Sequence, residues 1–292
     1  MKPSGIERIQ AAFARARAED RAAFMPYYMA GYPDVATSFE VMMALAAAGA
    51  DMIEVGVPFS DPLADGPTIQ AAAQVALTHG VSPAGVLHLI YQLRQRGVTI
   101  PCNLMGYYNP FLAYGVEELC RDAAAAGVDG LIVPDLPPDE RDGQEMIAAC
   151  RAHGLAFIPL LAPTSTATRI LKVTQAASGF VYLVSITGIT GARAHLPPDL
   201  EMFVARVRAA TALPLAVGFG ISTPEQAAQV AAIADGVVVG SALVKLGAAA
   251  EPVARIRELA AALAQGAHRV VASLTGVTQT VHHGGHGEHG AS

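Results

Sequence analysis

An α/β fold, with eight parallel strands closed into a barrel and a helix after each, is predicted by three observations. Eight short apolar runs alternate with helical patterns between residues 24 and 264. Successive runs are spaced by roughly 22–50 residues, the span of a βα unit, and each ends in a loop rich in Gly, Pro, Asp or Tyr. The Gly-rich turns follow the late strands. A doubly wound open sheet, the competing architecture, would place its Gly-rich turn after the first.

Taken in order, Ile6 to Ala18 has apolar positions at Ile6, Ile9, Phe13 and Ala16, which makes it an amphipathic helix that plugs or flanks the barrel. Phe24 to Ala30 is the first strand, ended by the turn signal Gly31-Tyr32-Pro33-Asp34, and Thr37 can cap the helix running to Ala48. Met52 to Val57 is the second strand. A short extra helix, Thr68 to Leu77, follows its loop, and a further helix starts at Ser82 or Pro83 and runs to Arg96. Ile100 to Met105 is the third strand, with a loop from Gly106 to Phe111 holding two tyrosines and an Asn-Pro turn. A helix from Val116 to Ala125 leads to the fourth strand, Leu131 to Val133, closed by Pro134-Asp-Leu-Pro-Pro138. Glu140 to His153 is helical, Ala156 to Leu161 the fifth strand, Thr166 to Ala177 helical and Phe180 to Val184 the sixth strand. A long Gly/Thr loop, Ser185 to Arg193, precedes a helix from Pro198 to Ala210. Leu213 to Val217 and Gly236 to Val239 are the seventh and eighth strands, with a helix from Thr223 to Ala232 between them and a closing helix from Glu251 to Ala264. The whole is a (β/α)8 TIM barrel with an extra N-terminal helix and an extra helix after strand two. Residues 1–267 form the single domain and 268–292 a C-terminal extension, whose tract His282-His-Gly-Gly-His-Gly-Glu-His289 reads as a disordered tail with incidental metal affinity.

Composition limits the function classes. Of 292 residues, 52% are hydrophobic and only 15% charged, which supports a sizeable core. The net charge is −6 and no Lys/Arg stripe forms, so nucleic acid is not expected as a partner. Cys102, Cys120 and Cys150 lack metal-ligand or CxxC spacing and read as reduced thiols of a cytoplasmic protein. No apolar run reaches the roughly 18 residues that span a bilayer, and residues 1–20 lack a signal-peptide apolar region.

In such a barrel the strand C-terminal ends build the site. That rule gathers Tyr27, Glu54, Asp65, Tyr107, Asp135, Tyr182, Thr190, Phe219 and Ser241 at one mouth. Glu54 interrupts an apolar strand, where an ionised carboxylate costs several kcal/mol unless paired or neutral. Its apolar flanks should raise its pKa and let it give and take a proton. Asp65 sits in a loop without an apolar cage and is expected to stay ionised. Two carboxyls in unlike surroundings can divide acid–base and electrostatic roles. Gly218-Phe-Gly-Ile-Ser222 and Gly240-Ser-Ala242 stand after strands seven and eight, where barrels bind phosphate through backbone amides. Ser185 to Arg193 reads as a lid whose Thr187 and Thr190 can reach a loop acid. No metal cluster and no Ser-His-Asp arrangement is evident, and His195 reads as an exposed loop residue.

The run from Glu54-Val-Gly-Val-Pro-Phe-Ser-Asp through Pro-Leu-Ala-Asp-Gly-Pro-Thr-Ile-Gln70 closely resembles the signature of the tryptophan synthase alpha chain family. Further matches arrive in the family's order from Ile6 to Leu263: Pro26, Ala30-Gly-Tyr-Pro33, Met105-Gly-Tyr-Tyr-Asn-Pro110, Val133-Pro-Asp-Leu-Pro137, Gly188-Ile-Thr-Gly-Ala-Arg193, Gly218-Phe-Gly-Ile-Ser222 and Gly240-Ser241. The resemblance implies a lyase that cleaves indole-3-glycerol phosphate to indole and glyceraldehyde 3-phosphate in tryptophan biosynthesis. It makes Glu54 the catalytic acid–base and Asp65 the second catalytic carboxylate. Tyr182 would orient Glu54 and Thr190 would hold Asp65. Gly191, Gly220, Gly240 and Ser241 would offer amides to phosphate, Tyr27 and Phe219 would wall the indole, and Tyr107 would join the substrate site. Tyr27 stands where the family often has Phe.

The resemblance also implies no cofactor on this chain and a beta-chain partner carrying pyridoxal phosphate, in an alpha2beta2 heterotetramer. Asn103 to Phe111, Asp135 to Pro138 and Ser60-Asp61-Pro62 would form the beta-facing surface. Two other functions compete: a stand-alone lyase releasing free indole, and a non-catalytic regulatory subunit that binds the phosphate ligand. The intact acids argue against the last.

Overall fold

The computed structural model describes residues 3–185, 198–218 and 220–268. The apolar runs become β1 (Ala23–Met29), β2 (Ile53–Gly56), β3 (Cys102–Met105), β4 (Gly130–Ile132), β5 (Ala156–Ile158), β6 (Leu160–Leu161), β7 (Val181–Val184), β8 (Leu215–Gly218) and β9 (Gly236–Val239). Every pairing is parallel, in the order β5-β4-β3-β2-β1-β9-β8-β7-β6. The two ends of this sheet, β5 and β6, are separated by Pro159 alone. Proline has no N–H to give a ladder, so the run from Ala156 to Leu161 divides. Its first half pairs with β4 and its second with β7, while the Pro159 carbonyl between them accepts from Tyr182 N–H at 3.1 Å. One predicted strand therefore serves both flanks and closes eight staves into a barrel.

Around it run α1 (Gly5–Ala18), α2 (Val35–Ala47), α3 (Pro67–Thr78), α4 (Pro83–Gln95), α5 (Tyr108–Tyr114), α6 (Val116–Ala126), α7 (Arg141–Ala152), α8 (Ala167–Ala176), α9 (Leu200–Arg208), α10 (Pro224–Ala231), α11 (Ser241–Lys245) and α12 (Pro252–Ala267). Their starts follow side-chain chemistry. Ser4 and Glu7 form a capping box on α1, Thr223 and Gln226 another on α10, and Ser82 and Thr166 cap α4 and α8. Three local expectations need correction. Asp34, not Thr37, caps α2, because its carboxylate accepts from both Thr37 N–H (2.8 Å) and Thr37 Oγ1 (2.6 Å). The segment expected as a loop after the third strand contains α5, whose Pro110 falls in the first turn, where a missing N–H costs no hydrogen bond. Gly240-Ser-Ala242 opens α11 rather than a plain loop.

The core has two parts. One is a sleeve between staves and helices, where Phe24, Leu45, Val55, Leu104 and Leu131 are buried. The other fills the barrel interior, where Met25, Met52, Ile158, Phe180 and Ala216 meet Ile9, Ala12, Phe13 and Ala16 of α1. The N-terminal helix is thus a plug, with the Phe13 and Phe180 rings 5.5 Å apart. Three arginines of α1 fasten it to three aspartates at the strand N-terminal ends: Arg8 to Asp129, Arg15 to Asp51 and Arg17 to Asp235. Each aspartate also accepts a strand amide: Asp51 from Phe24 (2.9 Å), Asp129 from Cys102 (2.7 Å) and Asp235 from Leu215 (2.8 Å).

Asp51 is the most heavily committed. It accepts from both terminal nitrogens of Arg21, at 2.7 and 2.9 Å, and lies 3.1 Å from His268 Nε2 at the end of α12. Burial alone would raise its pKa, but His268, Arg21 and the Phe24 N–H outweigh burial and hold the carboxyl well below the usual range. Its contribution is therefore full above the ordinary Asp pKa and fades as the pH falls below it. Removing one partner of a buried ion pair leaves the other uncompensated. Asp51→Asn is expected to lower the unfolding free energy at pH 7 by about 3 kcal/mol, measured by urea titration, with the deficit narrowing in acid.

Candidate active site

The parallel register sets out the site. Tyr27 on β1 is paired with Glu54 on β2, and Glu54 with Asn103 on β3. Register partners leave the sheet on the same face, so all three side chains enter the barrel. At its C-terminal mouth a cavity is lined by Tyr27, Glu54, Asp65, Tyr182, Gly220 and Ser241, with Ile69, Met105, Ile221, Val238, Gly240 and Ala242 completing the wall. The other end is closed by α1.

Two glycines make room for two tyrosines. A Cβ on Gly56 would overlap the Tyr27 hydroxyl, and one on Gly218 would overlap the Tyr182 hydroxyl. Only hydrogen at these strand ends lets both phenols lie across the top of the barrel beside Glu54. Burial first, then neighbouring charge, pushes both phenols well above their usual range. They stay protonated.

Glu54 is wholly buried, and neither carboxyl oxygen has a hydrogen-bond partner among the described residues. Burial raises its pKa well above the ordinary value, as the apolar flanks predicted. A carboxylic acid that opens onto a cavity is held neutral and ready to donate.

Asp65 corrects an expectation. It is not an open loop acid: the loop folds in, and the residue is only 8% exposed. Asp65 N–H donates to Pro62 O at 3.0 Å, Gln70 Nε2 donates to Asp65 O at 2.8 Å, and Gly66 caps α3 directly behind it. Burial pushes its carboxyl up to about 6, against the Tyr107 hydroxyl, which favours the charged form. It remains mostly ionised at pH 7, but by a narrow margin and not for want of a cage.

The predicted mouth divides in two. Tyr27, Glu54, Asp65, Tyr182, Gly220, Gly240 and Ser241 share the main cavity. Tyr107 stands behind Asp65 rather than in the cavity wall: its hydroxyl accepts from Ala64 N–H at 2.9 Å and its ring packs on Phe59. With Asp135 it lines a neighbouring hollow formed by Phe59, Asp61, Leu63 and Asn109. Thr190, Gly191 and Phe219, Thr187 and His195 of the expected lid, and the His-rich tail lie outside the described residues. The ranges assigned to the outer surface include interior residues. Asn103, Leu104 and Phe111 are fully buried, the first turned into the barrel by its register, the second in the sleeve under the helices and the third packed from α5 beneath Gly106. Gly106, Tyr107, Leu136 and Pro138 are also buried. Met105 and Val238 escaped the sequence reading. Strand parity could have found them, since Met105 shares Asn103's face and Val238 that of Gly236 and Gly240.

Gly220 has φ +81°, a left-handed conformation open to glycine, and Gly240 is the N-cap of α11, with Ser241 and Ala242 in its first turn. First-turn amides have no intrahelical acceptor, so the far wall of the cavity suits an anion. No cluster of three metal-ligating side chains occurs among the described residues. Cys102, Cys120 and Cys150 are free and buried.

A carboxyl whose folded pKa is raised costs stability once it ionises. For Asp65 the native state holds its proton longer than the unfolded chain, so stability falls as pH rises from about 4 to about 6 and is then level. Asp65→Asn is expected to be more stable than the parent by about 2–3 kcal/mol at pH 7, and equal to it below pH ~4, in urea titrations at the two pH values.

A family model described as tryptophan synthase alpha chain matches residues 13–272. The tryptophan synthase alpha chain of Roseiflexus castenholzii is 53% identical over 82% of this chain and 92% of its own length. That of Chloroflexus aggregans is 47% identical over 95% of this chain and 100% of its own. Among solved structures, a chain of Mycobacterium tuberculosis tryptophan synthase superposes with a TM-score of 0.83 at 44% identity, covering 91% of this chain and 99% of that one. Tryptophan synthase subunit alpha of Legionella pneumophila gives 0.82 at 39% identity, over 89% of this chain and 97% of that one.

Proposed function

The chain belongs to the tryptophan synthase alpha chain family, lyases that cleave indole-3-glycerol phosphate to indole and glyceraldehyde 3-phosphate in tryptophan biosynthesis, and we propose that Glu54 and Asp65 carry out that cleavage here. The observation that carries the assignment is Glu54 itself: a fully buried carboxyl with no hydrogen-bond partner among the described residues, opening onto a cavity that holds a second carboxyl. The family needs no cofactor on this chain, and its partner is a beta chain.

In the proposed reaction neutral Glu54 protonates indole C3, converting the ring into a leaving group held as an indolenine. Asp65, ionised at neutral pH, accepts the ring N–H and offsets the positive charge that develops there. Glu54, now a carboxylate, takes the proton of the glyceryl hydroxyl as the carbon–carbon bond breaks, which returns it to the acid form. Its burial suits both steps, because raising the pKa leaves the acid a proton to give and makes the carboxylate a stronger base. Tyr182 orients Glu54, and Tyr107 steadies Asp65 from behind. Tyr27 walls the indole, and the amides around Gly220, Gly240 and Ser241 bind the phosphate. Thr190, Gly191 and Phe219 keep the roles that the family resemblance gives them: the hydroxyl on Asp65, an amide on the phosphate and a second indole wall.

The beta chain carries pyridoxal phosphate in this reading and joins indole to serine, within an alpha2beta2 heterotetramer in the cytoplasm. The supporting surface on this chain is the hollow between Phe59, Leu63, Asn109 and Asp135, next to the site and exposing Leu63 at 88%. No helix among the described residues is long and apolar enough to cross a membrane.

Indole release by the purified chain, with and without a tryptophan synthase beta chain, tests the assignment. Weak release that rises steeply with the beta chain is expected. Glu54→Gln is expected to lose at least ~10³-fold in cleavage rate while still binding indole-3-glycerol phosphate by calorimetry. Normal turnover in that variant would overturn the acid–base role.

A further inference from the structure

Glu54 has a polar neighbour that these assignments do not use. Its register partner on β3 is Asn103. Adjacent strands lie about 4.8 Å apart and register partners share a face, so Asn103 leaves the sheet beside Glu54 and into the barrel, with no hydrogen bond between the two side chains. Both residues are fully buried, and both are short of hydrogen bonds: Glu54 Oε1 and Oε2 and Asn103 Oδ1 have no partner among the described residues. Asn103 Nδ2 donates to the Met52 thioether at 3.6 Å, a weak acceptor. The surroundings are apolar, with Met52 one step below Glu54 and Ile132 on β4. Hydrocarbon would pack there without leaving an amide oxygen unsatisfied. Asn103 does not line the cavity, so it does not meet the substrate. The next position in register, on β4, is Gly130, where a Cβ would stand 3.0 Å from Asn103 Oδ1. The same Cβ would also stand 2.8 Å from Ile158 Cδ1 and 3.1 Å from Ala156 Cβ, so only hydrogen at Gly130 admits the amide beside these side chains.

We propose that Asn103 is the positioning residue of Glu54, its amide presenting Oδ1 to the protonated carboxyl and, turned over, Nδ2 to the carboxylate. The proposal rests on the reading of Glu54 as both acid and base. A group that gives a proton and then takes one back needs a neighbour that accepts and then donates from one place. A primary amide does this, because its oxygen and nitrogen are nearly the same size and exchange places by rotation about χ2. The other groups facing Glu54 are the phenols Tyr27 on β1 and Tyr182 on β7, with Asp65 on the loop after β2. Asp65 bears charge and is committed to the ring nitrogen. Asn103 is neutral in both states, so it fixes the direction of the carboxyl without holding its proton.

The two hydrogen bonds are unequal, since a bond to a carboxylate is roughly twice as strong as one to a neutral acid. The amide therefore favours the ionised form, and its removal raises the pH at which Glu54 titrates. Asn103→Leu and Asn103→Val remove the amide and fill its space with carbon. Glu54 is followed in the free protein by carbon NMR of carboxyl-labelled glutamate, its signal identified by its loss in Glu54→Gln. Its midpoint is expected to rise by roughly one pH unit in either variant, with kcat for indole release down about tenfold, KM unchanged and the thermal midpoint equal or higher. A folded variant with an unmoved Glu54 midpoint overturns the proposal, whatever its rate. Failure of the parent to release indole would instead defeat the lyase assignment, and the NMR midpoint would still decide the Asn103 contact.

Discussion

Taking a carboxyl group out of water without a hydrogen bond is among the costliest acts a fold can perform, and at Glu54 the described residues bury a carboxyl in the middle of a strand and give it none. The staves are short and their register is fixed on both sides, with Tyr27 to one side and Asn103 to the other. The carboxyl cannot swing out to solvent without breaking a ladder. Below it the interior is filled by methionines and by the aromatic end of α1, so water does not approach from the closed end. Protonation relieves that cost, and protonation makes the group an acid. Catalytic character at Glu54 is thus a property of the whole closed barrel, not of the loop beside it.

The same constraint explains how much was legible in the sequence. The strands were visible because parallel staves covered by helices are apolar on both faces and end abruptly at Gly or Pro. Glu54 was visible because it interrupts one of them. The burial of Asp65 was not, because its cage is built by residues far along the chain: Tyr107, which follows the third strand, and the mouth formed with Tyr182 and Ser241. Asn103 was misplaced because the family resemblance carried the run from it to Phe111 to the partner-facing surface, whereas its register with Glu54 turns it into the barrel. The helices α5 and α11 were hidden behind Asn-Pro and Gly-Ser pairs, which read as turns but here supply the first residues of helices. Composition carries no information about depth along a strand; pairing does.

Functional demands and stability pull against each other at the mouth and are reconciled at the base. At the mouth, burial raises the pKa of the Glu54 and Asp65 carboxyls, and phenols lie over bare glycines, while just beneath it the Asn103 amide oxygen has no partner among the described residues. Each of these lowers stability. At the base, three aspartates each combine a strand amide with arginines from α1 and from the barrel. One end of the barrel is built to be rigid, so the other can carry strained chemistry.

The pairing of β1 with β9 has a consequence for how the protein is made. The cavity joins Tyr27 of the first stave to Gly240 and Ser241 just beyond the last. About 210 residues separate those partners, so a ribosome working at about 5–20 residues per second needs some 10–40 s to produce the second after the first. During that interval β1 has one flank without its final neighbour, and no chain that stops short of Gly240 and Ser241 contains the whole site. Catalytic competence arrives in a single event, once β9 and the start of α11 have emerged and the ring shuts. A nascent chain released early is inert as an enzyme and exposes strand edges that the finished protein does not have.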